Sequence, residues 1–119
     1  MISGLKQKVK EKFLNNSALC YLPSTREVFE QLHPEKINFE LRLIKSLALK
    51  PTGLSPKPSD PFMPPFEEGL FLSAITPTHS LVFNKFCVCD EHVVLITNEF
   101  ERQDTPLTLN DWTAAISVI

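Results

Sequence analysis

Glycine is scarce in this chain of 119 residues, with only Gly4, Gly53 and Gly69. None of the three belongs to a G-x-G-x-x-G or a G-x-x-x-x-G-K pattern, which excludes the glycine-rich loops that cradle phosphates through backbone amides. Cysteine is equally rare, at Cys20, Cys87 and Cys89. The opening MISGLKQKVKEKF has no apolar signal-like region, and an odd cysteine count in that setting points to reduced thiols in a cytoplasmic compartment rather than a disulfide framework. No apolar run approaches the roughly 20 residues of a membrane span, so no membrane partner is expected. The formal net charge is -2. Without a basic excess, nucleic acid is not an expected partner either, and a phosphate ligand would have to be held by local lysines and backbone amides. Internal repeats and low-complexity tracts are also missing.

Hydrophobic residues make up 43% of the chain, enough for the core of one small domain. Leu5, Val9 and Phe13 recur every four residues between lysines, which predicts a surface helix from residue 3 to about 16. In NFELRLIKS, Phe39, Leu41 and Leu43 alternate with Glu40, Arg42 and Ile44, which predicts a strand with one buried face. Six prolines then fall between Pro51 and Pro65. They exclude a helix and a regular ladder, so residues 51–66 are expected to form a long extended loop, with Phe62, Met63 and Phe66 giving it something to bury. Strand patterns return at GLFLSAI, HSLVFNKF and HVVLITNEF. The last two hold near-continuous apolar runs, as expected of strands covered on both faces or central in the sheet, and CVCDE between them suits an antiparallel hairpin. Thr108 followed by Asp111 has the form of a capping box, so a helix should start at Leu109 with an apolar stripe of Trp112, Ala115, Ile116 and Ile119. Together these elements predict an α+β fold, one or two helices on an antiparallel sheet of about four strands.

Few residues carry a chemical signal. Cys87 and Cys89 lack a second ligand pair, so no metal is expected; structural zinc takes four ligands. Neither the cysteines nor the doublets Glu67-Glu68 and Asp90-Glu91 are placed by any pattern as nucleophile or acid/base pair, and the carboxylates read as turn residues. Asn84-Lys85 is the exception, a polar pair at the end of a strand-like run. Asn84 has an amide suited to a ribose or base, and Lys85 a point charge suited to a phosphate. On patterning alone the pair reads first as a bulge with a solvated edge lysine, and only second as a nucleotide contact.

The stretch DPFMPPFEEGLFLSAITPTHSLVFNKFCVCDEHVVLITNEFERQDTPLTLNDW resembles the N-terminal half of the diadenosine tetraphosphate phosphorylases, also called ATP adenylyltransferases, in the histidine-triad (HIT-like) superfamily. Four groups occur in the family's order: Lys50-Pro51, Asp60-Pro61-Phe62, Asn84-Lys85-Phe86, and His92 through Thr97-Asn98-Glu99-Phe100, followed by Gln103 to Thr108. The resemblance runs over roughly residues 36 to 119 and loosely over the first helix. It implies a HIT-like antiparallel sheet with flanking helices. Residues 1–119 would be the N-terminal part of a single nucleotidyltransferase domain, an incomplete half of the fold. It also implies phosphorolysis of a dinucleoside tetraphosphate to ATP and ADP, with a histidine of a later His-x-His motif as nucleophile. Lys50, Asn84 and Lys85 then become nucleotide or phosphate contacts, and His92 a structural residue opening a strand. The implied partners are ATP, ADP, dinucleoside polyphosphates and phosphate, with no cofactor. His33, His79 and His92 are isolated and no His-x-His occurs among the 119 residues. The chain alone is therefore expected to be inactive: a fragment, a proteolysed enzyme, or one chain of an enzyme whose C-terminal part is separate. The alternative from another class is a non-catalytic nucleotide- or protein-binding module derived from that family.

Overall fold

The computed structural model describes residues 4–22, 25–29, 39–44, 60 and 62–119 of the chain. Helix α1 (Leu5–Leu14) falls inside the predicted span. Its four-residue spacing puts Leu5 and Val9 into the core beside Leu70, Leu72, Leu81 and Phe83, with Phe13 packed against that cluster. The Phe13 and Phe83 rings lie 6.2 Å apart at a tilt of 48°. Full burial of each such side chain is worth about 1.5–3 kcal/mol, which fixes α1 on the sheet although its other face is charged.

Strands β1 (Thr25–Phe29) and β2 (Phe39–Leu43) form an antiparallel pair, from Thr25 opposite Leu43 to Phe29 opposite Phe39. Strand β2 stands where the period-two pattern predicts it. The buried face does not follow, since Leu41 and Leu43 are 44% and 43% exposed. The physical reason is that these strands form a two-stranded ladder apart from the main sheet, and two strands alone cannot enclose a core. Strand β1 is not predicted by the sequence, because TREVF is too short and too charged to show a clean alternation.

The main sheet has the order β3-β4-β5, with β3 (Phe71–Thr76), β4 (His79–Phe83) and β5 (Val93–Thr97) antiparallel throughout. Every residue of β4 is buried, as its apolar run predicts for a central strand. Strand β5 departs from the same expectation: four of its five residues are only partly buried, because the strand order leaves it at an edge. Alternation along β4 turns His79, Leu81 and Phe83 to one face. Helix α1 covers the Phe83 end of that face. Past the proline-rich stretch, Phe66 stacks on Phe71 at 5.6 Å and returns the chain to the sheet. Of the predicted loop 51–66, residues 51–59 and 61 lie outside the described residues.

Helix α2 (Leu109–Val118) starts at the residue the capping box predicts. The Thr108 Oγ1 accepts from the Asp111 backbone N–H at 3.4 Å, while Asp111 Oδ2 accepts from the Thr108 backbone N–H. The helix buries Ala114 completely and rests Val118 on the α1 cluster. Its apolar stripe points away from the sheet: Trp112, Ile116 and Ile119 are 56%, 68% and 83% exposed. Among the described residues the fold is α+β, with two helices against a three-stranded antiparallel sheet and a separate two-stranded ladder.

Candidate functional site

Strand β4 ends at Phe83, so Asn84 and Lys85 occupy the connection to β5 rather than opposite faces of a continuing strand. The Asn84 backbone N–H donates to the His92 carbonyl at 2.9 Å, closing the ladder. Its side-chain Oδ1 accepts from the Phe86 backbone N–H at 3.1 Å, an Asx-type turn that bends the chain out of the sheet. The amide nitrogen of Asn84 is thereby left to donate. The Lys85 carbonyl accepts from the Cys20 N–H at 2.7 Å, and the Cys87 carbonyl from the Leu22 N–H at 2.8 Å. The segment after α1 thus runs along residues 85–87 and holds their backbone in place.

The Lys85 ammonium lies 2.6 Å from Glu67 Oε2, the two side chains being 40% and 49% exposed. Lys85 is therefore neither buried nor simply solvated. Glu67 stands at a turn, and beyond that reading its carboxylate takes Lys85 as a partner. Its own position is set by a tight turn in which Leu70 N–H donates to the Glu67 carbonyl at 3.1 Å. Gly69 in that turn has φ 87, a conformation that favours glycine, and Asn16 Nδ2 donates to its carbonyl at 2.7 Å. Lys50, the third predicted contact, lies outside the described residues, as does Lys57.

His92 precedes β5, and its Nδ1 is buried without a hydrogen-bond partner. His79 has a role that sequence reasoning missed. It is 4% exposed at the start of β4, with Nε2 2.8 Å from Asp111 Oδ1 and Nδ1 3.0 Å from the Thr78 hydroxyl. This clip ties the sheet to α2. The Asp111 carboxyl is held down at about 2, first by the Thr108 hydroxyl, then by the Thr108 backbone N–H and by His79. The capping box singles out Asp111 in the sequence, but nothing there connects it to His79.

A cleft of about 740 Å³ lies between β5, the 99–107 segment and α2. His79, paired with Thr97, stands at this end of the β4–β5 ladder, and Phe83, paired with Val93, at the Asn84 end. Asp60, Glu99, Glu101, Asp104 and Asp111 line the cleft together with Arg102. That guanidinium is held by Asp104 at 2.7 and 2.9 Å. A wall of this sign repels a polyphosphate. Asn84 and Lys85 thus stand apart from this cleft.

Among the described residues no group of three or more His, Cys, Asp or Glu is arranged to hold a metal. Cys87 is buried, and burial pushes its thiol above the ordinary value, which disfavours the nucleophilic thiolate. Among the described residues no helix is long and apolar enough to cross a membrane.

Residues 2–119 match the family described as Ap4A phosphorylase N-terminal domain. The chain is 32% identical over 123 residues to diadenosine 5',5'''-P1,P4-tetraphosphate phosphorylase 2 of Saccharomyces cerevisiae, covering 98% of this chain and 38% of that protein. It is 37% identical over 79 residues to Protein APA1 of the same yeast, covering 62% of this chain and 25% of that protein. Among solved structures it is similar to yeast Ap4A phosphorylase Apa2 in complex with AMP, with TM-score 0.73 and 28% identity over 97% of this chain and 39% of that one. Apa2 in complex with Ap4A gives TM-score 0.75 and 31% identity over 96% and 37% of the respective chains. The chain thus spans less than two-fifths of the length of these relatives. On the strength of the family match over nearly its whole length and of the shared fold, the chain belongs to the Ap4A phosphorylase family, whose N-terminal domain it represents.

Proposed function

We propose that this chain is the nucleotide-gripping N-terminal part of an ATP adenylyltransferase, the enzyme that converts a dinucleoside tetraphosphate and phosphate to ATP and ADP. In this reading residues 1–119, with the proline-rich loop 51–66, form part of a single HIT-like domain. The observation that carries it is the family match together with an exposed lysine on a rigid turn at the end of the central strand. Solved relatives in complex with AMP and with Ap4A add support for the ligand class. Lys85 supplies a point charge to a phosphate, Asn84 donates its amide to the ribose or base, and Lys50 adds a second cation.

The nucleophile is not among these residues. No His-x-His occurs in the 119, and phosphoryl transfer without nucleophile or charge-stabilising donors loses the terms that dominate its catalysis. The chain alone binds without turnover, and a C-terminal part, in the same or a separate polypeptide, supplies the reactive imidazole. The β5 edge, which no described strand pairs, and the outward apolar stripe of α2 offer that part a surface to pack on.

Calorimetry with AMP and with Ap4A tests the binding half. Heat of binding with no ATP formed is the expected result, and no heat at millimolar ligand would overturn it. Supplying the C-terminal part of a longer relative should produce phosphate-dependent ATP formation. Lys85→Ala should weaken binding by about 1.5–3 kcal/mol, the size of one charge-assisted contact. The exposed α2 stripe favours a second reading, a non-catalytic module that binds a protein; binding that never becomes turnover after complementation selects it.

A further inference from the structure

We propose that Glu67 is a built-in competitor at Lys85, so that a polyphosphate binds by ion exchange, displacing the Glu67 carboxylate from the Lys85 ammonium. The proposal rests on the reading of Lys85 as a phosphate contact and goes beyond it by assigning the residue that sets how readily this cation is surrendered, and to which class of anion.

The pair is organised from both sides. On the lysine side, the Lys85 carbonyl is held by Cys20 N–H at 2.7 Å, and the adjoining Asx-type turn at Asn84 is closed at 3.1 Å. On the glutamate side, the Leu70 N–H closes the turn on the Glu67 carbonyl at 3.1 Å, and Asn16 Nδ2 holds the Gly69 carbonyl at 2.7 Å. Two anchored backbones therefore bring the carboxylate to 2.6 Å from the ammonium across 18 residues of sequence. Both side chains remain half exposed, 40% and 49%. A ligand can then reach Nζ from solvent, and the released carboxylate can turn back into water without being stranded in a dry interior.

The direction of exchange follows from charge. A half-exposed ion pair is weak. A polyphosphate chain presents several adjacent negative charges, one on each internal phosphate and up to two on a terminal one, against the single charge of the carboxylate. A polyphosphate displaces Glu67 readily, whereas an anion of single charge gains nothing over it. Glu67 thus discriminates against singly charged anions and lowers the affinity for the correct ligand by a modest factor.

The test is a calorimetric titration of the full chain with Ap4A, comparing the wild type with Glu67→Gln, Glu68→Gln, Lys85→Ala and the double variant Glu67→Gln/Lys85→Ala. Thermal denaturation of each verifies that it is folded. Glu67→Gln should bind about two- to fivefold more tightly, the worth of one half-exposed pair. Glu68→Gln, which removes the same charge one residue away, should stay within about twofold of the wild type. Lys85→Ala should weaken binding by about tenfold or more, and adding Glu67→Gln to it should change nothing further, since the competitor then has no cation to occupy. If Lys85→Ala weakens binding but Glu67→Gln does not tighten it, the competitor role is overturned while the phosphate site stands. Equal gains from Glu67→Gln and Glu68→Gln also overturn it, because the effect is then one of bulk charge. If Lys85→Ala leaves binding unchanged, the underlying reading of the site fails and the proposal fails with it.

Discussion

At the scale of single residues, Gly69 and Asp111 each hold a junction that the fold depends on. Gly69 has φ 87, and a Cβ there would meet Asn16 Oδ1 at 2.9 Å. Gly69→Ala should destabilise the chain by about 1–2 kcal/mol, the usual penalty of a left-handed conformation for an L-residue, read as a lower urea midpoint. It should also loosen the turn that positions Glu67. Asp111 accepts from Thr108 at its Oδ2 and from His79 at its Oδ1. Its carboxyl is depressed from 3.8 to about 2, so its contribution is fully present above the unfolded value and is lost as pH falls through the folded one. Denaturation of the wild type and of Asp111→Asn across this range should show a constant advantage for the wild type above pH 3.8, shrinking towards pH 2. An advantage that does not change with pH would show that the carboxylate charge contributes nothing.

At the scale of elements, α2 is held by its start and by little else. Its capping box is complete, but Ala114 is its one buried residue and its large apolar side chains face outward. An isolated helix of this length is marginal in water, so the cap and the His79 clip decide whether it stays folded on the sheet. Thr108→Ala should cost about 1 kcal/mol, and amide exchange should rise in α2 well before it rises in β4. Helix α1 behaves differently, since Leu5 and Val9 are buried in the main cluster and no side-chain cap precedes it. Packing carries α1, and capping carries α2.

At the scale of the whole molecule, α2 exposes Trp112, Ile116 and Ile119, and β5 has no described strand on its outer side, while Trp112 and β5 also line the acidic cleft. An apolar surface beside an open strand edge favours association. Sedimentation of the chain alone should show concentration-dependent self-association, and Trp112→Lys with Ile116→Lys should reduce it while leaving the urea midpoint nearly unchanged. A monomer at all concentrations would mean that this face is harmless in isolation. The relatives extend well beyond the matched portion, which is 38% of the yeast phosphorylase 2, and the same face is where a further part would find apolar partners.

What the sequence determined by itself was local or ordinal. The four-residue spacing of Leu5, Val9 and Phe13 sets α1, the Thr108–Asp111 box sets the first residue of α2, and the apolar run around Leu81 sets the buried central strand. The order of the Lys-Pro, Asp-Pro-Phe and Asn-Lys-Phe groups was enough to suggest the family. Each of these depends on neighbours within a few residues, or on their order along the chain. Tertiary structure decided which surfaces meet. It paired Lys85 with Glu67 across 18 residues, His79 with Asp111 across 32, and Asn16 with Gly69 across 53. It also left Leu41, Leu43 and the α2 stripe exposed where apolar spacing alone suggests burial. Periodicity tells which side of an element is apolar. Whether anything comes to lie against that side depends on contacts between residues far apart in the chain, which a single sequence does not record.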